Sequence, residues 1–288
     1  MHALPTSAAA MLWPVLEGLA RDAVLHQPAQ VATTWDTPLR IALGRLLALR
    51  RVAVAGTAAT TTALLVHLLA DASIARGIPA VLAIAGESPE RVLRRVLAWC
   101  ARLPHQAFVD GALDEAQLRM IGRAAARLTA DVPLSIAEGH RRPERMAESL
   151  RGVGHWLLAH AGAERASPAW LGVSLHGMGD HALDAPECSA LRDALVELAH
   201  EPRLKLLIAL PFRGTLPVVP PMPMLPPAWR TLVEGTAILT GWPTADAPLG
   251  GVTLHLERHV DGAVTRAHAE LAPSGRLRTW DPPPPPRL

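Results

Sequence analysis

The sequence predicts an α/β domain built on a mostly parallel, twisted sheet with helices on both faces and a C-terminal β-hairpin. Three observations predict it. The runs 52–55, 80–85 and 204–210 are short and continuously aliphatic, as strands buried on both faces must be. Helix-length amphipathic segments separate them, long enough for parallel crossovers. After Pro211 the alternation stops, and strand-like runs follow one another without helices.

Taken in order, residues 11–26 place Leu12, Val15, Leu16, Leu19 and Val24 at helical spacing among Glu17, Arg21 and Asp22. This is an amphipathic helix, either packed on the domain or docked on a neighbouring subunit. A connector over 27–38 and an apolar, arginine-spaced stretch over 39–49 lead to the first core strand, 52–55. Helices are then expected over 57–75, 88–103, 113–128, 143–160 and 190–200, and strands over 80–85, 133–136, 170–175 and 204–210. Ser88-Pro89-Glu90 opens its helix with a capping hydroxyl, a first-turn proline and an early carboxylate. Residues 211–227 are too rich in proline to continue a sheet. Strands follow over 236–240, 251–257 and 264–271, the last two joined around Asp261-Gly262, a strong turn signal. The tail 281–288 contains five consecutive prolines and reads as extended and disordered. The organisation expected is an N-terminal helix and linker (1–32), one α/β domain (33–280) and a proline-rich tail (281–288).

The 288 residues are half hydrophobic, enough for a sizeable core. A formal charge of +2 excludes the strong basic surplus of a dedicated nucleic-acid binder. Arginine supplies nearly all the cations, and Lys205 is the only lysine. Cys100 and Cys188 sit in helical segments and read as thiols of a reducing compartment. The first twenty residues lack the basic start of a signal peptide, and no uncharged apolar run reaches ~18 residues, so a cytoplasmic location without a membrane anchor is expected.

The stretch from Arg51 to Ala70 carries the main chemical signal. A buried strand, a turn of small residues and an apolar helix follow one another, the layout in which loop amides and a helix N-terminus cradle phosphates. On the pattern G-x-x-x-x-G-K-[ST], however, Ala55 takes the first glycine, Thr60 the second, Thr61 the lysine and Thr62 the hydroxyl position. Gly56, Thr57, Ala58 and Ala59 fill the loop between.

Several local phrases then resemble one family. Thr34-Trp-Asp-Thr-Pro-Leu39 and Leu46-Leu-Ala-Leu-Arg-Arg-Val52 are worn versions of its approach to the first strand. Ala83-Ile-Ala-Gly-Glu-Ser-Pro-Glu-Arg-Val-Leu-Arg-Arg95 follows its strand ending in S-L-E-M-S and the helix after it. Asp110-Gly-Ala-Leu-Asp-Glu-Ala-Gln-Leu118, Val132-Pro-Leu-Ser-Ile136 and Leu254-His-Leu-Glu-Arg-His-Val-Asp-Gly262 match further segments in the same order. From about residue 33 to 280 the chain resembles the C-terminal, RecA-like motor domain of DnaB-type replicative DNA helicases, a P-loop NTPase fold. The RadA and KaiC branch is the second choice.

The resemblance implies a motor whose working residues can be checked one by one. Phosphoryl transfer there needs a lysine on the phosphates, a metal-holding hydroxyl and aspartate, a base for water and a cation from the neighbour. Thr61 replaces the lysine, leaving Thr62 as the hydroxyl. Gly86 falls on the family's glutamate with Glu87 one residue on, so Glu87 is the residual candidate base, or else an ordinary first-turn carboxylate. Ser174 stands at the Walker B aspartate, Pro211 and Phe212 at the polar sensor with Arg213 beside it, and Val260 at the arginine finger. Arg258 keeps the charge of the family's lysine in that last motif. Ala55 to Thr62 together with Arg258 thus form a vestigial nucleotide site. The loop after the sensor strand, 214–227, carries no cation, which suits a protein contact or spacer better than a phosphate-tracking groove.

Other clusters are weaker. His176, Asp180, His181, Asp184 and Cys188 are metal-capable, but their spacing matches no zinc pattern, so no metal is expected. His255 and His259 share one strand face, no G-x-S-x-G occurs, and Arg94-Arg95 and Arg141-Arg142 read as solvated helix-end charges. The expectation is a DnaB-like pseudo-ATPase in a DNA replication or mobile-element setting, joining a helicase paralogue or its own ring. Two alternatives stand: a divergent helicase still binding ATP, Mg2+ and single-stranded DNA, and a RadA- or KaiC-like regulatory relic.

Overall fold

The computed structural model describes residues 6–8, 11–12, 15–16, 48–75, 77–111, 113–129, 133–160, 168–178, 185–211, 229, 231–244, 247–258, 264–271 and 277–279. The strands are β1 (Thr6–Ser7), β2 (Arg51–Gly56), β3 (Ala80–Ala85), β4 (Leu134–Gly139), β5 (Ala169–Ser174), β6 (Leu204–Pro211), β7 (Gly235–Thr244), β8 (Ala247–Arg258), β9 (Val264–Leu271) and β10 (Leu277–Thr279). The helices are α1 (Ala58–Ala70), α2 (Pro89–Ala101), α3 (His105–Asp110), α4 (Glu115–Thr129), α5 (Pro143–His160) and α6 (Ser189–His200).

All strands lie in one sheet of order β1-β4-β3-β5-β6-β2-β7-β8-β9-β10. The six from β4 to β7 are parallel, as the continuous apolar runs require. Their side chains alternate between two cores. Val52, Val54, Leu82, Ile84, Leu207 and Ala209 face one, where α1, α2 and α4 contribute Leu65, Leu93 and Ile121. Ala53, Val81, Ala83, Leu206, Ile208 and Leu210 face the other, with Leu150 of α5 and Leu195 of α6. The chain leaves β2, crosses β6 and β5 through α1, and re-enters at β3. Gly172 of β5 lacks a side chain where the fully buried Leu69 of α1 comes down on the strand.

Several boundaries differ from the sequence reading. The expected helix over 57–75 is α-helical only to Ala70 and finishes as a π-turn at Asp71–Ala75. Helix α3 was not expected, since six residues after Pro104 are too few for a periodic pattern. Helix α4 begins at a reciprocal cap in which Gln117 N donates to Asp114 Oδ1 (2.8 Å) and Asp114 N to Gln117 Oε1 (3.0 Å). The C-terminal hairpin is part of a longer antiparallel run from β7 through β10, attached to the parallel sheet because β7 pairs with β2. The turn around Asp261 and the loop and tail over 212–227 and 281–288 lie outside the described residues.

At the other edge, Thr6 and Ser7 pair with Ile136 and Ser135, and Ala8, Leu12 and Val15 are buried in the first core. The described part of the N-terminal segment therefore packs on its own domain. Cys100 and Cys188 form no disulfide. Replacing Leu69 by alanine should cost ~2–5 kcal/mol, because the cavity would lie between a helix and a strand that cannot close up. Urea denaturation should show it as a lower midpoint with an unchanged slope.

Candidate functional site

The carboxyl ends of the parallel strands, Gly56, Ala85, Gly139, Ser174 and Pro211, lie along one edge of the sheet. In open parallel sheets ligands bind outside this edge. The β2–α1 junction there is very short. Ala55 is paired with Leu210 on one side and Ile238 on the other, and Gly56 still pairs with Pro211. Thr57 is the N-cap, and α1 starts at Ala58. One residue therefore separates strand from helix, and Ala58 to Thr62 are helical rather than looped around an open space.

The threonines satisfy one another. Thr57 Oγ1 accepts from Thr60 N (3.3 Å) and lies 3.0 Å from Thr60 Oγ1. Thr61 is fully buried, and its Oγ1 donates to the Thr57 carbonyl at 2.8 Å. The same oxygen lies 2.7 Å from His176 Nε2, two residues beyond the end of β5. With the threonine proton committed to the carbonyl, Nε2 is assigned the hydrogen and His176 is the donor. Burial lowers the His176 pKa from 6.5 to about 4, so the imidazole is neutral near pH 7. The backbone after β5 is tightly seated, since a Cβ at Gly177 would collide with the Ala85 carbonyl.

Ser174 ends β5 fully buried, and its Oγ has no hydrogen-bond partner among the described residues. Gly86 has φ +78°, a left-handed conformation, and a Cβ there would lie 2.9 Å from Arg141 Nε. Glutamate at that position would be strained whatever its rotamer. Glu87 is turned into a two-pronged ion pair, with Arg95 Nε at 2.9 Å from Oε2 and Arg95 Nη2 at 2.6 Å from Oε1. Lys205 is buried near the start of β6, at the opposite edge of the sheet, bonded to the Leu49 carbonyl and 4.8 Å from the Trp170 ring centroid. Arg258 ends β8 opposite Gly235, which pairs with Val52 at the beginning of β2. It too lies at the edge away from the β2–α1 turn.

No protein-family model and no curated protein matches the chain by sequence. Solved structures do match by shape. One is the ATPase domain of a DnaB-like helicase, at 11% identity and a TM-score of 0.61, covering 81% of this chain and 85% of that one. Another is a DnaB-like replicative helicase, from a structure concerned with its interactions with primase. It shares 11% identity and a TM-score of 0.62, covering 95% of this chain and 75% of that one. The fold is that of a DnaB-like helicase ATPase domain. Within this RecA-like frame, β2 and α1 occupy the places of the phosphate-loop strand and helix.

Of the expected site residues, the structure gathers Ala55 to Thr62 with the strand end at Ser174, places Glu87 on the neighbouring turn, and sets Arg258 apart. Phe212, Arg213, Asp180, His181 and Asp184 lie outside the described residues. Among those described, no group of three His, Cys, Asp or Glu is placed to hold a metal ion, and no helix is long and apolar enough to cross a membrane. Sequence reasoning grouped His176 with metal-capable residues and missed its bond to Thr61, a contact between distant segments that no spacing announces. It also missed Arg95 as the partner of Glu87, although both stand at the start of one helix.

His105 on α3 is likewise depressed to about 4, by burial first and then by Arg95. Both imidazoles are neutral when folded but take up a proton below about 6.5 when unfolded. Their contribution to stability is complete above pH 6.5 and is lost progressively as pH falls towards 4. Thermal unfolding between pH 7.5 and 4.5 should show Tm falling, and H176Q should reduce that fall.

Proposed function

We propose that this protein is a DnaB-helicase-like RecA-fold pseudo-ATPase that acts as an interaction or regulatory partner in DNA replication or mobile-element biology. The observation that carries the reading is the closed β2–α1 junction. A phosphate loop presents a wide arc of backbone amides and a lysine to a triphosphate. Here a single N-cap residue takes the place of the arc, and a buried threonine, bonded to His176, takes the place of the lysine.

The surrounding chemistry supports the same conclusion. The sole lysine is engaged at the far edge of the sheet, so it does not stand in for the missing charge. Ser174 supplies no carboxylate for Mg2+, and Glu87 is held by Arg95 rather than directed at a water. Catalysis of phosphoryl transfer is mostly electrostatic positioning, and each such loss costs orders of magnitude in rate. What survives is the scaffold, which in its structural relatives belongs to replicative helicases. A cytoplasmic partner joining a ring of active paralogues, or a ring of its own copies, is the role we assign. With Leu12 and Val15 buried in its own core, the described part of the N-terminal segment is not a free docking arm.

Titration calorimetry with ATP, with and without Mg2+, should give no Mg-dependent binding, and ATP turnover should stay at background. Tight Mg-dependent binding would overturn the pseudo-enzyme reading. Size measurement alone and with a DnaB-type helicase should show assembly in at least one case. A protein that stays monomeric in both refutes the partner role.

A further inference from the structure

Glu87, Arg91, Arg94, Arg95, His105 and Val109 line a pocket of about 360 Å³ between the first turns of α2 and helix α3. This is the size of a small-ligand site. Three guanidinium groups face it against one carboxylate. Arg95 and Glu87 neutralise each other in the two-pronged pair. Arg94 spends Nη2 on Glu90 at 2.8 Å and Nη1 on the Phe108 carbonyl at 3.4 Å, while its buried Nε has no partner among the described residues. The Arg91 guanidinium has no ion pair or hydrogen bond among them, and Arg91 is exposed. His105 is half-buried and neutral, so it offers a hydrogen bond without adding charge. Val109, 58% exposed, provides an apolar wall.

The uncommitted donors belong to Arg91 and Arg94, three residues apart on one face of α2. Glu87 has already taken the place of a bound carboxylate on Arg95. A further anion that matches both remaining arginines is a dianion, and planar guanidinium forks suit the oxygens of a phosphoryl group. The exposed aliphatic wall suits an organic remainder better than a bare ion. We propose that this pocket binds a small phosphorylated ligand, its phosphoryl group held by Arg91 and Arg94 and its organic part resting on Val109. The site shares no residue with the β2–α1 turn and stands whether or not that turn binds nucleotide.

The test is calorimetric titration of the full chain with ribose 5-phosphate, with ribose, citrate and a short single-stranded oligonucleotide as the other arms. Ribose 5-phosphate should bind, ribose should not, and R91Q should weaken binding at least about tenfold, the loss of one charge-assisted hydrogen bond. Arg91 is exposed and unpartnered, so R91Q should fold normally. R94Q, checked by its circular dichroism and Tm, should weaken binding similarly. Absence of binding up to about 10 mM, too weak for a specific site, overturns the proposal, as does binding unchanged in R91Q. Citrate binding as tightly would overturn the phosphoryl assignment, and tighter oligonucleotide binding lost in R91Q would make the occupant nucleic acid. An ATP signal that survives R91Q and R94Q belongs to the β2–α1 turn, and one that disappears belongs here.

Discussion

Ladder hydrogen bonds on both sides of β2 hold the chain extended up to its last residues, with β6 on one side and β7 on the other. Immediately beyond, Thr57 caps α1, which must lie flat across β6 and β5 to bury Leu64, Leu65, Leu68 and Leu69. Strand and helix are both fixed by packing, and only Thr57 connects them. The space that a phosphate would need is thereby closed by backbone that is already hydrogen-bonded. The rest of the carboxyl edge is built around this closure. His176 seats on Thr61, Gly177 packs on the Ala85 carbonyl, and Gly86 takes the left-handed turn beneath Arg141.

Charge is distributed in the same spirit. An active motor concentrates cations where the triphosphate lies. In this chain the one lysine is buried at the other edge of the sheet, where a carbonyl and an indole face satisfy it. Arg50 and Arg51 are tied to Glu234 at that same edge, with Arg50 N at 2.7 Å and Arg51 Nε at 3.1 Å from its carboxylate oxygens. These contacts join the starts of β2 and β7, so they serve the sheet. The arginines left without full partners are on α2, facing the pocket beside α3. The electrostatic interest of the molecule has moved from the phosphate-loop position to the helix that follows β3.

Much of the architecture was legible before any coordinates. Apolar runs such as Ala80–Ala85 and Leu204–Pro211 state their own burial, because a strand covered on both faces has no polar face to show. The cap at Ser88 and the amphipathic spacing of α2 and α5 are equally local. The substitutions at Ala55, Thr60, Thr61 and Ser174 could be read by aligning the expected pattern. The strand at Thr6–Ser7 could not, since a two-residue edge pairing carries no periodicity. Nor could the π-turn at the end of α1, which depends on how the chain is drawn down towards β3.

Composition and spacing by themselves therefore determined the element order, the parallel class of the sheet and the absence of lysine from the phosphate-loop position. Each of these rests on residue type or on short periodicity, and neither needs a partner elsewhere in the chain. Tertiary structure alone decided what replaced the lost chemistry. Whether eight small residues after a strand form an open loop or continue as strand, cap and helix depends on β6, β7 and the core beneath α1. Whether Glu87 is a base or half of an ion pair depends on the rotamer that α2 and α3 impose on Arg95. Those are questions of packing between segments distant in sequence, and they are settled only when the sheet brings the segments together.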